Sequence, residues 1–358
     1  MRVALIGVGQ AGGKVAQAIA EFDYEMDFGA VQSAFAVNTA EADLQSLDID
    51  TMLIGQDRVK GHGVGGDNEL GAEIMQSEAT EVMDGLDGRI TSQTEAVMVV
   101  AGLGGGTGSG GAPALARELG RVYDIPVYVL GVLPGRDEGG IYQANAGRSL
   151  KTVIREADAA LLIDNDAWRE SGESVQEGFD AINRQIAQRV GVLLASGEAV
   201  EGVGESVVDS SEIINTLREG GIASLGYATA EASEEAAENV NTVTSLTRNA
   251  LLTSMSLPDA VEAEAALLVI AGRPERISRK GVERARSWVE EETGSLQVRG
   301  GDFPLDSDRL GALVLLCGVE RSRRVKEFME RAREASASAE GEGPTTEEMF
   351  DENLDDLF

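Results

Sequence analysis

The residues best suited to chemistry form one run: Gly102-Leu103-Gly104-Gly105-Gly106-Thr107-Gly108-Ser109-Gly110-Gly111. Five of its first seven residues are glycine. The apolar stretch 96–101 leads into it, and residues 112–117 read as a helix. Strand, glycine-rich turn and helix are the layout of a phosphate cradle. Glycine tolerates φ > 0, so successive N–H groups can converge on anionic oxygens, and a helix N-terminus adds positive potential. Thr107 and Ser109 add hydroxyl donors.

A second glycine loop, Gly7-Val8-Gly9-Gln10-Ala11-Gly12-Gly13-Lys14, lies between a strand at 3–6 and a helix at 15–20. It fits the G-x-G-x-x-G spacing of a dinucleotide fold, which also requires an acid at the end of the second strand. That strand ends Ala36-Val37-Asn38-Thr39, so the acid is missing. Nor is this a Walker A loop, because Val15 follows Lys14 where a magnesium-binding hydroxyl belongs. A third loop, running from Gly61 to Gly71 through Gly63, Gly65 and Gly66, falls between the other two. Three such loops within about 110 residues suit a chain of phosphates gripped from several sides. His62, the only histidine, reads as incidental to that loop.

The elements that must position these loops follow from apolar periodicity. Strand patterns at 3–6, 34–37, 97–101, 127–132 and 159–163 alternate with helical segments, which predicts a parallel α/β sheet with a ligand at its carboxyl edge. A long helix is expected over residues 174–194, with Phe179, Ile182, Ile186 and Val190 among its apolar positions. Beyond it, strands at 266–271, 295–299 and 310–319 and a helix at 277–291 predict a smaller domain of α/β-plait type. From about Ala335 the composition turns to Ser, Ala, Glu, Gly and Asp, as in a disordered acidic tail. The apolar Met349, Phe350, Leu354, Leu357 and Phe358 leave a docking peptide and a solubilising segment as equal alternatives.

The chain has 358 residues, a formal net charge of −32 and a sequence pI near 4.3. Only five residues are lysine. Such a charge repels itself when the Debye length is about 8 Å, and is largely screened near 1 M salt, where that length is about 3 Å. The composition therefore points to a salt-rich cytoplasm and argues against a nucleic-acid partner. No stretch approaches the roughly 20 apolar residues of a membrane span, so no direct membrane insertion is expected. Met1–Ile6 lacks the layout of a signal peptide. The single Cys317 reads as a core residue.

Together the three loops resemble the tubulin/FtsZ superfamily of polymerising GTPases. Gly104-Gly105-Gly106-Thr107-Gly108-Ser109-Gly110 is similar to its signature loop, Gly9-Gln10-Ala11-Gly12 to the tubulin first loop, and 61–71 to the FtsZ third loop. With the acidic composition, this mixture most resembles the CetZ family of archaeal tubulin-like proteins. The resemblance implies a Rossmann-like GTPase domain at 1–173, a central helix at 174–195 and a C-terminal activation domain at 196–334. The tail would be 335–358.

It also implies site residues. GTP or GDP, with Mg²⁺, would be held by Gly9, Gln10, Ala11, Gly12, Gly13, Lys14, Asn38, Gly65, Gly66, Gly104, Gly105, Gly106, Thr107 and Gly108. Glu138 would meet the ribose, and Tyr142 stands where FtsZ has an arginine. Asn165 would bond the nucleotide, Phe179 would stack on the purine and Asn183, one turn on, would read its edge. An amide arranged for one base is left unpaired by the other, at a cost on the order of 1–3 kcal/mol per group. Without the resemblance, Phe179 reads as core and Asn183 as a surface amide.

The segment Val207-Val208-Asp209-Ser210-Ser211-Glu212 is similar to the superfamily's catalytic loop (205–217 here), with its two carboxylates three residues apart and Val207 where FtsZ usually has Asn. By itself, Asp-Ser-Ser-Glu before an apolar run is a helix capping box, with Asp209 bonding free N–H groups and Glu212 reaching back. The resemblance implies a homopolymer of head-to-tail protofilaments, open to co-assembly with paralogues. Asp209 and Glu212 of one copy would complete the neighbour's GTPase site, and control of cell shape is the implied role. A slowly hydrolysing scaffold of the same fold and a NAD-dependent oxidoreductase using only the first loop stay open as alternatives.

Overall fold

A computed structural model describes residues 1–168, 175–198 and 207–340. Ten strands, β1 (Val3–Val8), β2 (Val31–Asn38), β3 (Asp50–Leu53), β4 (Ala96–Gly102), β5 (Val127–Leu133), β6 (Ala159–Asp164), β7 (Ile222–Glu231), β8 (Ala263–Gly272), β9 (Gln297–Pro304) and β10 (Arg309–Val319), form one sheet among the described residues. Its order is β3-β2-β1-β4-β5-β6-β7-β10-β8-β9. The first seven strands pair in parallel, and β10 runs antiparallel to β7 and β8. All five strand patterns expected in the first half lie in this sheet. The later part is not a separate sheet, because β7 continues the first one through Ala160↔Ile222 and Leu161↔Ala223.

Period-2 alternation decides which side chain faces which layer. In β4, Ala96, Met98 and Val100 face one core, while Val97, Val99 and Ala101 face the other. The first core is closed by α1 (Gly9–Glu25), the long helix α8 (Val175–Ser196) and α9 (Ser210–Leu217). Two short helices, α2 (Glu41–Leu44) and α3 (Gln56–Val59), flank β3. The second core is closed by α4 (Asn68–Ser77), α5 (Ala79–Gly85), α6 (Gly106–Val122) and α7 (Gly140–Glu156), and further along by α10 (Val240–Thr253), α11 (Arg279–Thr293) and α12 (Arg323–Glu340). Cys317 is fully buried in β10.

Three expectations need correction. The helix expected at 112–117 begins at Gly106, so the second half of the signature loop is already helical. None of the glycines from 102 to 111 has positive φ. Close backbone approach requires three of them: a Cβ on Gly110 would sit 2.0 Å from the Asn68 carbonyl oxygen, one on Gly108 2.5 Å from that of Gly102, and one on Gly106 2.9 Å from the Asp67 nitrogen. The first helix likewise starts at Gly9 instead of residue 15. Finally, α12 runs to Glu340, past the expected start of the tail. Residues 341–358 lie outside the described residues, with the docking-peptide positions, as do 205 and 206 of the expected catalytic loop.

Pro113 lies inside α6. It has no N–H for the Ser109 carbonyl, and the Ser149 hydroxyl donates there instead at 2.7 Å. The α4–α6 contact thus depends on backbone proximity. Gly110→Ala is expected to cost about 1–3 kcal/mol by overpacking. Gly120→Ala, on the same helix with no heavy atom within 4 Å of the added Cβ, should stabilise by about 0.5–1 kcal/mol. Urea midpoints at constant salt check both.

Candidate functional site

Strand order reverses direction between β1 and β4, and the loops leaving these two strands diverge to open a crevice at the carboxyl edge of the sheet. The crevice is a cleft of about 520 Å³. Its floor is made by the first turns of α1 and α6, which start at Gly9 and Gly106. Neither N-cap, Val8 or Gly105, is a side-chain cap, so the leading N–H groups are left for another acceptor. Gly9, at φ +74°, takes the left-handed turn from β1 into α1. A Cβ there would meet the Gly108 nitrogen at 2.9 Å, so the two phosphate-type loops touch.

The third loop closes over them. Gly63, Gly65 and Gly66 all have positive φ and line the wall before Asp67 caps α4 by accepting from the Leu70 N–H at 3.0 Å. Buried Asn145 of α7 donates to the Gly66 carbonyl at 2.7 Å and to the Gly104 carbonyl at 3.1 Å, tying this loop to the signature loop. Thr39 and Thr107 share a hydroxyl hydrogen bond of 2.7 Å. Asp43 accepts from the Gln10 amide at 2.9 Å and from the Asn38 amide at 3.1 Å, which sets both side chains.

Of the expected binding residues, Gly9, Gln10, Ala11, Asn38, Gly65, Gly66, Gly104, Gly105, Gly106, Thr107, Gly108, Glu138, Asn165 and Phe179 line this cleft. Phe179 is 41 % exposed, so it is a surface ring at the mouth and not a core residue. Gly12, Gly13, Lys14 and Asn183 are not in the lining. Gly12 and Gly13 serve packing, since their added Cβ atoms would lie 2.2 Å from the Val100 oxygen and 2.8 Å from Leu47. Asn183 is half-buried one turn beyond Phe179. His62 and Tyr142 are in the wall, Tyr142 packed against Gly104.

Sequence reasoning missed Asp43 and Asn145. Nothing in the spacing marks Asp43. Asn145 carried a signal, because a buried asparagine in a helix interior is a poor helix former that needs partners elsewhere.

Asp209 and Glu212 lie at the other end of the molecule. Ser210, between them, donates to the Glu95 carboxylate at 2.8 Å. Glu95 immediately precedes β4, whereas the cleft begins where β4 ends. At about 3.3 Å per residue, the length of β4 separates the pair from the cleft by roughly 20 Å. Asp209 caps α9, accepting from the Glu212 N–H at 3.1 Å. The Asp209 backbone N–H in turn acts on the Glu212 carboxylate, the return arm of a capping box. The two carboxyls are pushed apart. Hydrogen bonding from the Ser211 hydroxyl, aided by the α9 amides, holds Asp209 below the usual range. Burial, then the Asp209 charge, pushes Glu212 up against the pull of Arg299 and Arg286.

A nucleotide-type cleft at the reversal of a doubly wound sheet, with three glycine loops and a distal acidic helix start, defines the tubulin/FtsZ class of GTPase fold. Residues 2–173 match the Tubulin/FtsZ family GTPase domain, and 172–334 match the C-terminal domain of tubulin-like CetZ. The chain is 68 % identical over 360 residues to tubulin-like protein CetZ2 of Haloferax volcanii, covering all of both chains. The GTPγS-bound protofilament structure of that CetZ2 superposes with a TM-score of 0.92, covering 95 % of this chain and 100 % of that one. The GDP-bound monomer of Haloferax volcanii CetZ1, 52 % identical, gives 0.87 over 94 % and 100 %. The chain belongs to the CetZ family of tubulin-like proteins, and it carries that superfamily's GTPase domain.

Removing the Asp209 cap should cost about 1 kcal/mol in Asp209→Ala. Asp209→Asn, which keeps an acceptor, should lose less. Urea unfolding at fixed salt compares the two.

Proposed function

We propose that this protein binds GTP in the cleft, polymerises head-to-tail into protofilaments in the cytoplasm, and hydrolyses GTP at the junction between copies. The observation that carries this reading is the separation just described. The cleft has amides for phosphates, whereas Asp209 and Glu212 are outside its lining and stand at the opposite end of β4. Translation of one copy onto the next brings the two halves together, and such a heterologous contact continues without closing. The GTPγS-bound protofilament of the 68 % identical relative supports the same geometry. A role in cell shape is the biological reading we favour for such a filament.

In this reading the free amides of α1 and α6 and the third loop hold the phosphate chain. Phe179 stacks on the guanine, Asn165 bonds the nucleoside and Glu138 faces the ribose, while Asn183, one helical turn behind Phe179 and outside the lining, would have to turn inward to read the base edge. The neighbour's Asp209 and Glu212 orient the water for in-line attack on the γ-phosphorus, while the fixed N–H groups stabilise the charge that develops. Mg²⁺ bound to the nucleotide would neutralise the phosphates. Such an ion keeps most of its ligands as phosphate oxygens and water. The cleft fits it: the Thr107 hydroxyl and the Asp43 carboxylate in the wall are oxygen donors that would bind its water shell.

The unequal carboxyls set the pH dependence. Because the Glu212 pKa is raised and that of Asp209 lowered, falling pH protonates Glu212 first. GTP turnover should therefore fall on the acid side in a step centred above the ordinary Glu range, with GTP affinity unchanged across it. Glu212→Ala should bind GTP as the parent does and lose most turnover, by about 10²-fold or more. Parent-like turnover in that variant would remove Glu212 from the mechanism.

The test of the whole reading is phosphate release against protein concentration in molar KCl with Mg²⁺. A rate per subunit that climbs above a threshold concentration is the expected result. A flat, non-zero rate would place the catalytic groups within one chain.

A further inference from the structure

Arg324, in the first turn of the C-terminal helix α12, is 2 % exposed, and its partner Asp164, the last residue of β6, is 1 % exposed. Nη2 of the guanidinium donates to Asp164 Oδ1 at 2.8 Å and Nε donates to Oδ2, a two-pronged bond across 160 residues of sequence. Nη2 also reaches Asp166 Oδ2 at 3.2 Å. Asp164 shapes the turn that follows it, because Oδ1 accepts from the Asp166 N–H at 3.2 Å and its carbonyl accepts from the Ala167 N–H at 2.9 Å. Asn165, in the cleft wall, is carried on that turn.

The same cluster holds a second wall. Asp166 Oδ2 accepts from the Arg136 backbone N–H at 2.9 Å, and the Arg136 guanidinium lies 3.6 Å from Asp166 and 3.5 Å from Glu327 of α12. Two residues on, Glu138 accepts from the Gly135 N–H at 2.7 Å and lines the cleft. One buried guanidinium thus fixes both loops that carry the polar groups of the nucleoside end. Among the described residues its hydrogen bonds and ion pairs go to Asp164 and Asp166, not to the phosphate end made from β1, β4 and their helices.

We infer that Arg324 is a positioning residue for the nucleoside end of the cleft, so that α12 is part of the machinery that recognises the nucleoside while the glycine loops bind the phosphates without it. This rests on the reading that the cleft holds GTP with Asn165 and Glu138 at its nucleoside end. The fork geometry is essential. A lysine keeps the charge but cannot make both bonds to Asp164 in one plane.

The test compares two probes on the full chain in molar KCl, GTP and inorganic tripolyphosphate, each by calorimetric titration. In Arg324→Gln the Kd for GTP should rise on the order of tenfold, with tripolyphosphate affinity unchanged and Arg324→Lys intermediate. Equal weakening of both probes, or of neither, overturns the inference. Loss of one partner of a buried pair can unfold a protein, so Asp166→Asn and Arg136→Ala, which cut the more exposed arms, provide the second measurement. Each should show a smaller loss confined to GTP, and an unchanged Kd for GTP in both would overturn the inference as well. A parent protein that binds GTP no tighter than tripolyphosphate would instead sink the underlying assignment of the nucleoside end, whatever the variants do.

Discussion

Two helices begin at the same gap in the sheet with their first N–H groups uncapped, and much of the molecule is arranged around that fact. A helix start needs acceptors for its leading donors. Here no side chain supplies them at α1 or α6, so the donors are available to an anion. Two such helix starts can share one gap only if their backbones almost touch. Gly9 against Gly108, and Gly106 against Val64 and Asp67, provide that closeness because there is no Cβ between them. The apolar sheet beneath, buried on both faces, keeps the arrangement rigid.

The same sheet keeps the acidic pair away from the cleft. β4 is a fully paired central strand with the cleft at one end and the Glu95–Ser210 hydrogen bond at the other. No rotamer change spans that distance, so any joint action of Asp209 and Glu212 with the cleft requires a second molecule. The acidic composition raises the cost of bringing copies together in dilute buffer and lowers it at molar salt, where like charges are screened. Polymerisation and salt are thereby linked by the same charge count.

The C-terminal helix adds a third element to this economy. Its apolar face, with Val325, Phe328 and Met329, is buried in the core shared with α7. Burial takes Arg324 out of water, but the bonds from Asp164 and the charges of Asp164, Asp166 and Glu327 more than offset that and hold the guanidinium pKa above its ordinary value. A buried pair of this kind is weak evidence for stability and better suited to fixing geometry. The geometry it fixes is that of the turns carrying Asn165 and Glu138.

What the sequence by itself determined is local. Alternating apolar runs and glycine clusters specify strands, loop positions and the α/β class, because side-chain period and missing Cβ atoms act over a few residues. The capping role of Asp209 was legible for the same reason. The tertiary structure alone decided why Gly106 and Gly110 are needed, since close backbone approach depends on partners such as Asp67 and Asn68, which are distant in the chain, and not on local φ. It also decided that Gly12 and Gly13 serve packing, that Asp43 sets Gln10 and Asn38, and that the sheet runs unbroken from β6 into β7. Arg324 was beyond reach of any pattern. An ion pair across 160 residues exists only once the chain has folded back on itself, and no spacing rule operates at that range.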